Sequence, residues 1–250
     1  KNLQTVRMAL QIFGNHHSLS KAAARQIIAQ VKRQPASVLC LAAGDTPRLA
    51  YSIVAKTATE QVVDFSQCTF IGLDEWMGIR RENEGSCYFF LQNTLFNPLS
   101  IRPDQVCMFD ALRKDPAGEC RKMDAVIKEK PGIDLMLVGI GMNGHIGFNE
   151  PGVQEMLYSH VIDLDETTRS VGQKYFSHST ELSKGFTLGL QHLLESRKVI
   201  LMASGSKKAE IIRRTLEGSV STEVPASIIR KHRNALTMLD KEAAALLTIV

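Results

Sequence analysis

The chain of 250 residues is 44% hydrophobic and 22% charged with a formal net charge of +4, ordinary values for a globular protein long enough to bury one large core. It has no extended Lys/Arg run and no interleaving of aromatic with basic residues, so a nucleic-acid partner is not expected, and no stretch approaches the ~18 continuous apolar residues of a membrane span. The 5 cysteines, an odd count without Cys-x-x-Cys spacing, suit unpaired thiols in a reducing, cytoplasmic setting and offer no metal-ligand pattern.

The N-terminal segment lacks the long apolar core of a leader peptide. A first strand is expected over Met8–Phe13, followed by a helix capped by Ser18 or Ser20 and running to about Lys32, with Ala22, Ala23, Ile27, Ile28 and Val31 on one face. Ser37–Ala42 reads as a buried strand. It runs into Ala43-Gly44-Asp45-Thr46-Pro47, where Thr46 as N-cap and Pro47 as first helical residue would open an amphipathic helix. Cys68–Leu73 is a third strand, ending at Asp74-Glu75-Trp76. Helices follow over Ser86–Leu95 and Ala117–Lys128. Leu135–Ile140 is a fourth strong strand.

Residues from about 154 to 184 are more polar and less regular, as expected of a lid over a binding site. Lys198–Ala203 is a fifth strand. After it come Ser204–Lys208, a helix to about Leu216 with Gly218 just past its end, and a short strand over Ala235–Leu239. Strands alternating with helices predict an α/β three-layer sandwich, an open, doubly wound (Rossmann-like) and mostly parallel sheet. No linker divides the chain, so one domain is expected over 1–250.

The most informative stretch is Asp134–Gly152, DLMLVGIGMNGHIGFNEPG. An apolar strand delivers a glycine-rich turn carrying Asn143, His145 and Glu150, and ligands of open α/β sheets bind beyond the carboxyl ends of strands. An imidazole changes charge near neutral pH, and Glu150 is close enough along a tight loop to orient it. Asp74, at another strand end, is either a helix N-cap or a general base. Gly44–Thr46 is either a plain turn or an anion cradle of backbone N–H groups at a helix start. Lys208 sits in the first turn of its helix, where an anion at the same end would explain a cation. Trp76 reads as a packing anchor. His16, His17, His160, His178, His192 and His232 have no partner at diagnostic spacing and read as surface or structural residues.

On LAAGDTP (41–47), GLDEW (72–76), the Ser86–Leu95 helix, GIGMNGHIGFNEPG (139–152), DETTRSVGQKYF (165–176), FTLGL (186–190), SGSKKAE (204–210) and VPASIIRKH (224–232), the chain resembles the glucosamine-6-phosphate deaminase (isomerase) family over its full length. That family includes a galactosamine-6-phosphate branch, toward which the Leu-Asp-Glu-Trp and Val-Pro-Ala-Ser wording leans slightly. The resemblance implies that Asp74 moves a proton between C2 and C1, that His145 opens the sugar ring, and that Glu150 and Asn143 support His145. Ala43, Gly44, Thr46 and Lys208 would bind the phosphate, with Lys174 standing where the family uses an Arg, and Asp45 where a smaller, uncharged residue is usual. The implied reaction is deamination of a 2-amino-2-deoxyhexose 6-phosphate, a small-molecule sugar phosphate, by a hydrolase acting on a C–N bond, with no cofactor and no metal. A 6-phosphogluconolactonase-like hydrolase and a non-catalytic sugar-phosphate effector domain are the alternatives; assembly into a homo-oligomer stays open.

Overall fold

The computed structural model describes residues 9–248; Met8, expected to begin the first strand, and most of the segment read as lacking a leader lie outside the described residues. The strands are β1 (Ala9–Phe13), β2 (Val38–Leu41), β3 (Thr69–Ile71), β4 (Asp74–Trp76), β5 (Val106–Cys107), β6 (Leu135–Val138), β7 (His160–Asp163), β8 (Lys184–Thr187), β9 (Val199–Ala203) and β10 (Ala235–Asp240). The α-helices are α1 (His16–Arg33), α2 (Asp45–Gln61), α3 (Cys87–Leu91), α4 (Pro116–Glu129), α5 (Glu166–Gly172), α6 (Leu190–Glu195) and α7 (Ala209–Glu217).

Seven strands form one parallel sheet in the order β1-β10-β9-β6-β2-β3-β5. Its central strands are apolar at every position because both faces are covered. Val38 and Cys40 of β2 face one core together with Met136 and Val138 of β6 and the apolar sides of α4 and α7. Leu39 and Leu41 face the other, with Leu135 and Leu137 of β6 and the apolar sides of α1 and α2. The chain leaves β2 toward β3 on one side and β6 toward β9 on the other. The sheet therefore has its topological switch between β2 and β6, and a crevice opens there beyond the strand ends.

Several local expectations are corrected. The α1 cap is Asn15, whose side chain accepts from Ser18 N–H at 2.9 Å while Ser18 Oγ accepts from Asn15 N–H at 3.2 Å; Ser18 is the reciprocal partner of the box and Ser20 is buried in the helix. Helix α2 starts at Asp45 with Gly44 as its N-cap, so Thr46 is inside the first turn and Pro47 is its third residue, not its first. The Ser86–Leu95 helix is capped by Ser86 but runs as α only to Leu91, then as a π turn over Gln92–Phe96.

Residues 154–184 are more regular than expected. They carry β7, α5 and a 3-10 turn at Gln173–Tyr175, and β7 pairs antiparallel with β8. β8 in turn pairs with β4, which completes a small three-stranded sheet. Asp74 therefore opens a strand and caps no helix. The fixed point of this layer is Trp76, packed on Phe148 at 4.5 Å and Phe176 at 6.1 Å between ring centroids, with Gly172 of α5 so close that a Cβ there would lie 2.7 Å from the indole. Trp76 is the packing anchor its sequence context suggested.

Candidate active site

A cleft of roughly 400 Å³ opens over the carboxyl ends of β9, β6, β2 and β3, four neighbouring strands of the large sheet. Of the nine residues singled out from sequence, seven line it: Ala43, Gly44 and Thr46 after β2, Asp74 after β3, His145 after β6, Lys174 from the segment beyond β7, and Lys208 after β9. Glu150 and Asn143 stand behind His145 as its supports.

The β6 turn is built to seat the imidazole. A Cβ on Gly141 would lie 2.4 Å from His145 Nε2, so only glycine lets the ring lie against that backbone. Gly147 has φ +57°, and a Cβ there would meet Thr187 Oγ1 at 2.7 Å, so glycine also lets the turn approach β8. The buried Asn149 donates to Ile146 O and Leu188 O, both at 2.8 Å, and clamps the loop to the small sheet.

His145 Nδ1 lies 3.2 Å from Glu150 Oε2 and 3.0 Å from Thr168 Oγ1. Asn143 Nδ2 donates to the same Glu150 oxygen at 2.8 Å, and Asn143 Oδ1 accepts from the His145 backbone N–H at 3.3 Å. Asp165 N–H donates to the other Glu150 oxygen at 3.3 Å. Burial alone would raise the Glu150 carboxyl, but its hydrogen bonds with His145, Thr168 and Asn143 and the His145 charge outweigh it and hold the carboxyl below its ordinary value. An ionised Glu150 places the His145 proton on Nδ1 and turns Nε2 into the acceptor available to a ligand.

Asp74 has the opposite environment. Burial pushes its carboxyl up from 3.8 to about 6, against a hydrogen bond from Cys87 and the charge of His145, which pull it down. It is thus a carboxylate that gains and loses a proton near working pH, the property wanted in a general base. The Cys87 thiol is itself pushed up, mainly by burial and by the charges of Asp74 and Glu75. Glu75 is buried and accepts from the N–H groups of Trp76 and Cys87 at 3.0 Å and of Tyr88 at 2.9 Å, so it ties β4 to the first turn of α3. Burial pushes Glu75 up to about 7.

At the other end of the cleft, Gly44 takes φ 127° and no side chain caps α2, which leaves the helix start to a ligand. Lys208 donates to Ile140 O, and its ammonium is pulled down to about 8 by burial and by nearby Lys174. Lys174 Nζ sits 2.7 Å from Asp45 Oδ2. Asp45 thus turns its carboxylate across the cleft to the segment beyond β7 that carries Lys174.

Sequence reasoning missed Cys87 and Thr168, which line the cleft, and Glu75, which is buried beside it. Glu75 and Cys87 lie twelve positions apart and meet only through β4 and α3. Thr168 reaches His145 from twenty-three positions away. No spacing pattern signals such contacts. The remaining histidines are structural where buried: His192 bonds Asp124 at 2.8 Å and His232 bonds Ser196 O at 2.7 Å. Among the described residues, no group of three or more His, Cys, Asp or Glu could hold a metal ion, and no helix is long and apolar enough to cross a membrane.

The family model of glucosamine-6-phosphate isomerases/6-phosphogluconolactonase matches residues 15–238. A glucosamine-6-phosphate deaminase of Clostridium botulinum (strain Hall) is 36% identical over 243 residues, covering 97% of this chain and 100% of the relative. A solved monomeric glucosamine-6-phosphate deaminase of the NagB superfamily superposes with a TM-score of 0.93 at 33% identity, covering 96% of this chain and 100% of that one. The 6-phosphogluconolactonase of Trypanosoma brucei shares the fold at a TM-score of 0.78 and 21% identity, covering 97% and 100%.

Proposed function

The chain belongs to the family of glucosamine-6-phosphate isomerases and 6-phosphogluconolactonases, and from that premise we propose that it is an amino-sugar-phosphate deaminase that converts glucosamine 6-phosphate and water into fructose 6-phosphate and ammonia. The observation that carries this reading is the pairing, in one cleft, of a hydrogen-bonded His145–Glu150 dyad with a separate carboxylate, Asp74, raised to about 6. An aldose–ketose isomerisation needs both: a group that opens the ring and a base that moves a proton between adjacent carbons. The full-length likeness to deaminases at above 30% identity favours deamination over lactone hydrolysis, for which the likeness extends to the fold alone.

In this mechanism the phosphate rests on the backbone of Ala43, Gly44 and Thr46 and on Lys174 and Lys208, remote from the chemistry, and fixes the sugar's orientation. His145 Nε2 takes the proton of the C1 hydroxyl and passes it to the ring oxygen, with Glu150 and Asn143 holding the imidazole. Asp74 removes the C2 proton to give an enolamine and returns a proton to C1. Water then adds at C2 of the resulting imine and ammonia leaves, so the net reaction is hydrolysis of a C–N bond.

Residues 154–184 act as the lid of this site, and a cytoplasmic setting suits the five unpaired cysteines. All the residues assigned here come from one chain. The lean toward the galactosamine branch is not followed, because the relatives are glucosamine-6-phosphate deaminases. The test is release of ammonia from glucosamine 6-phosphate and galactosamine 6-phosphate beside hydrolysis of 6-phosphogluconolactone. Faster ammonia release from glucosamine 6-phosphate supports the reading; lactone hydrolysis without ammonia release refutes it.

A further inference from the structure

We infer that Asp45 is a specificity-determining residue that sets how tightly the cleft holds a phosphate: its carboxylate occupies Lys174 as an internal stand-in for the ligand's anion and must yield that lysine when phosphate arrives. The inference rests on the phosphate-binding part of the proposed function.

Asp45 is the first residue of α2, directly after the uncapped Gly44, so it stands at the same positive helix end that an incoming anion would use. Its Oδ2 lies 2.7 Å from Lys174 Nζ, an ion pair that spans the cleft from α2 to the lid segment. Its Oδ1 lies 3.7 Å from Arg48 Nη2, one helical turn on. The Arg48 guanidinium is stacked over the Phe90 ring at 4.5 Å, and Lys174 lies 4.8 Å from the Tyr175 ring centroid. The carboxylate thus has two cationic neighbours that both line the cleft: Lys174 on the segment beyond β7, and Arg48 anchored on α2 against Phe90. A dianionic phosphate on the Gly44–Thr46 turn repels Asp45 and competes for Lys174. Asp45 can then turn to Arg48, which stays in place on Phe90. The lid segment reaches α2 through this exchange: Lys174 is held by Asp45 in the free protein and by the ligand in the complex. Both partners are about half exposed, with side-chain accessibilities of 50% and 57%, so the competition is modest and set by charge.

The probe is inorganic phosphate, titrated calorimetrically into the full chain and into Asp45→Ser, Asp45→Asn, Lys174→Ala, Lys208→Ala, and Asp45→Ser combined with Lys174→Ala. Both Asp45 variants are expected to bind phosphate about three- to tenfold more tightly, and to show a KM for glucosamine 6-phosphate lower by a similar factor. Measured against Lys174→Ala alone, most of the gain from Asp45→Ser should vanish in the double variant, because the competition runs through Lys174. Unchanged or weaker phosphate binding by both Asp45 variants overturns the inference; weaker binding makes Asp45 a residue that positions Lys174. An undiminished gain in the double variant also overturns it, reducing the effect to loss of a surface charge. Lys208→Ala reads the underlying function separately. If it binds phosphate as tightly as the unaltered chain, the anion end of the cleft is wrongly placed, and this inference falls with that reading.

Discussion

At one end of the cleft, the buried Glu150 holds His145 and Asn143 by hydrogen bonds of 3.2 and 2.8 Å; at the other, Lys174 and Asp45 meet at 2.7 Å on half-exposed side chains. The first end is preorganised by backbone and buried polar partners, so its geometry survives without a ligand. The second is held by charge in contact with water, so its contacts can exchange. On the function proposed above, chemistry falls to the first and affinity to the second, and substitutions at the two ends should divide between kcat and KM.

The largest expected effect is at the preorganised end. Asp74→Asn removes the proposed base while keeping its shape, and kcat should fall by about 10²–10⁴ with phosphate affinity unchanged. Solvent-deuterium incorporation at C2, followed by NMR, should disappear as well. Near-normal turnover would break the comparison at its centre. His145→Gln should cost about 10²–10³ on the cyclic sugar yet retain C2 exchange on an open-chain analogue. Glu150→Gln should show the same pattern more mildly, about tenfold, or ~1.4 kcal/mol of lost orientation. Equal loss of exchange on both sugar forms in His145→Gln would mean that ring opening is not its separate task.

The exchangeable end should respond in KM. Lys208→Ala should raise KM by about 10–100-fold, the share of one charged hydrogen bond, and leave a non-phosphorylated analogue unaffected. Because the Lys208 ammonium is pulled down to about 8, it loses its charge as pH rises through that value. The unaltered chain should therefore lose kcat/KM above about pH 8, and Lys208→Ala should lack that falling limb. A limb that persists in the variant assigns it to another group.

How far the site was legible follows the same division. The parallel sheet announced itself because both its faces are buried, which leaves continuous apolar runs such as Leu135–Val138. The glycine turn was legible because close contact of backbone and imidazole restricts Gly141 to one residue type. The small antiparallel sheet was not. Its strands are short and partly exposed, with Gly185 inside β8, and they pair across gaps that no local pattern spans. Thr46 was misplaced as a cap because a glycine N-cap with φ 127° carries no side-chain signature, and the next capping residue drew the assignment. Glu75 was read past because its three backbone donors come partly from α3, twelve and thirteen residues on.

The smallest effect separates the two ends by stability. Asp74 is an acid whose folded-state value, about 6, lies above its ordinary 3.8. The folded protein therefore binds that proton more tightly than the unfolded chain does. The resulting stability is fully present below about pH 4 and is lost as pH rises to about 6; above that, the folded state carries the cost of a buried charge. The gap between 3.8 and about 6 corresponds to at most about 3 kcal/mol, so Asp74→Asn, though nearly inactive, should melt a few degrees higher than the unaltered chain at pH 7.5. Below pH 4, where Asp74 is protonated in both states, the two melting curves should coincide. Asp45→Asn, on a half-exposed ion pair, should move Tm far less at either pH. If Asp74→Asn gains nothing at pH 7.5, or keeps its gain below pH 4, burial of Asp74 is not what sets its proton affinity, and the contrast between a preorganised floor and an exchangeable rim loses its energetic basis.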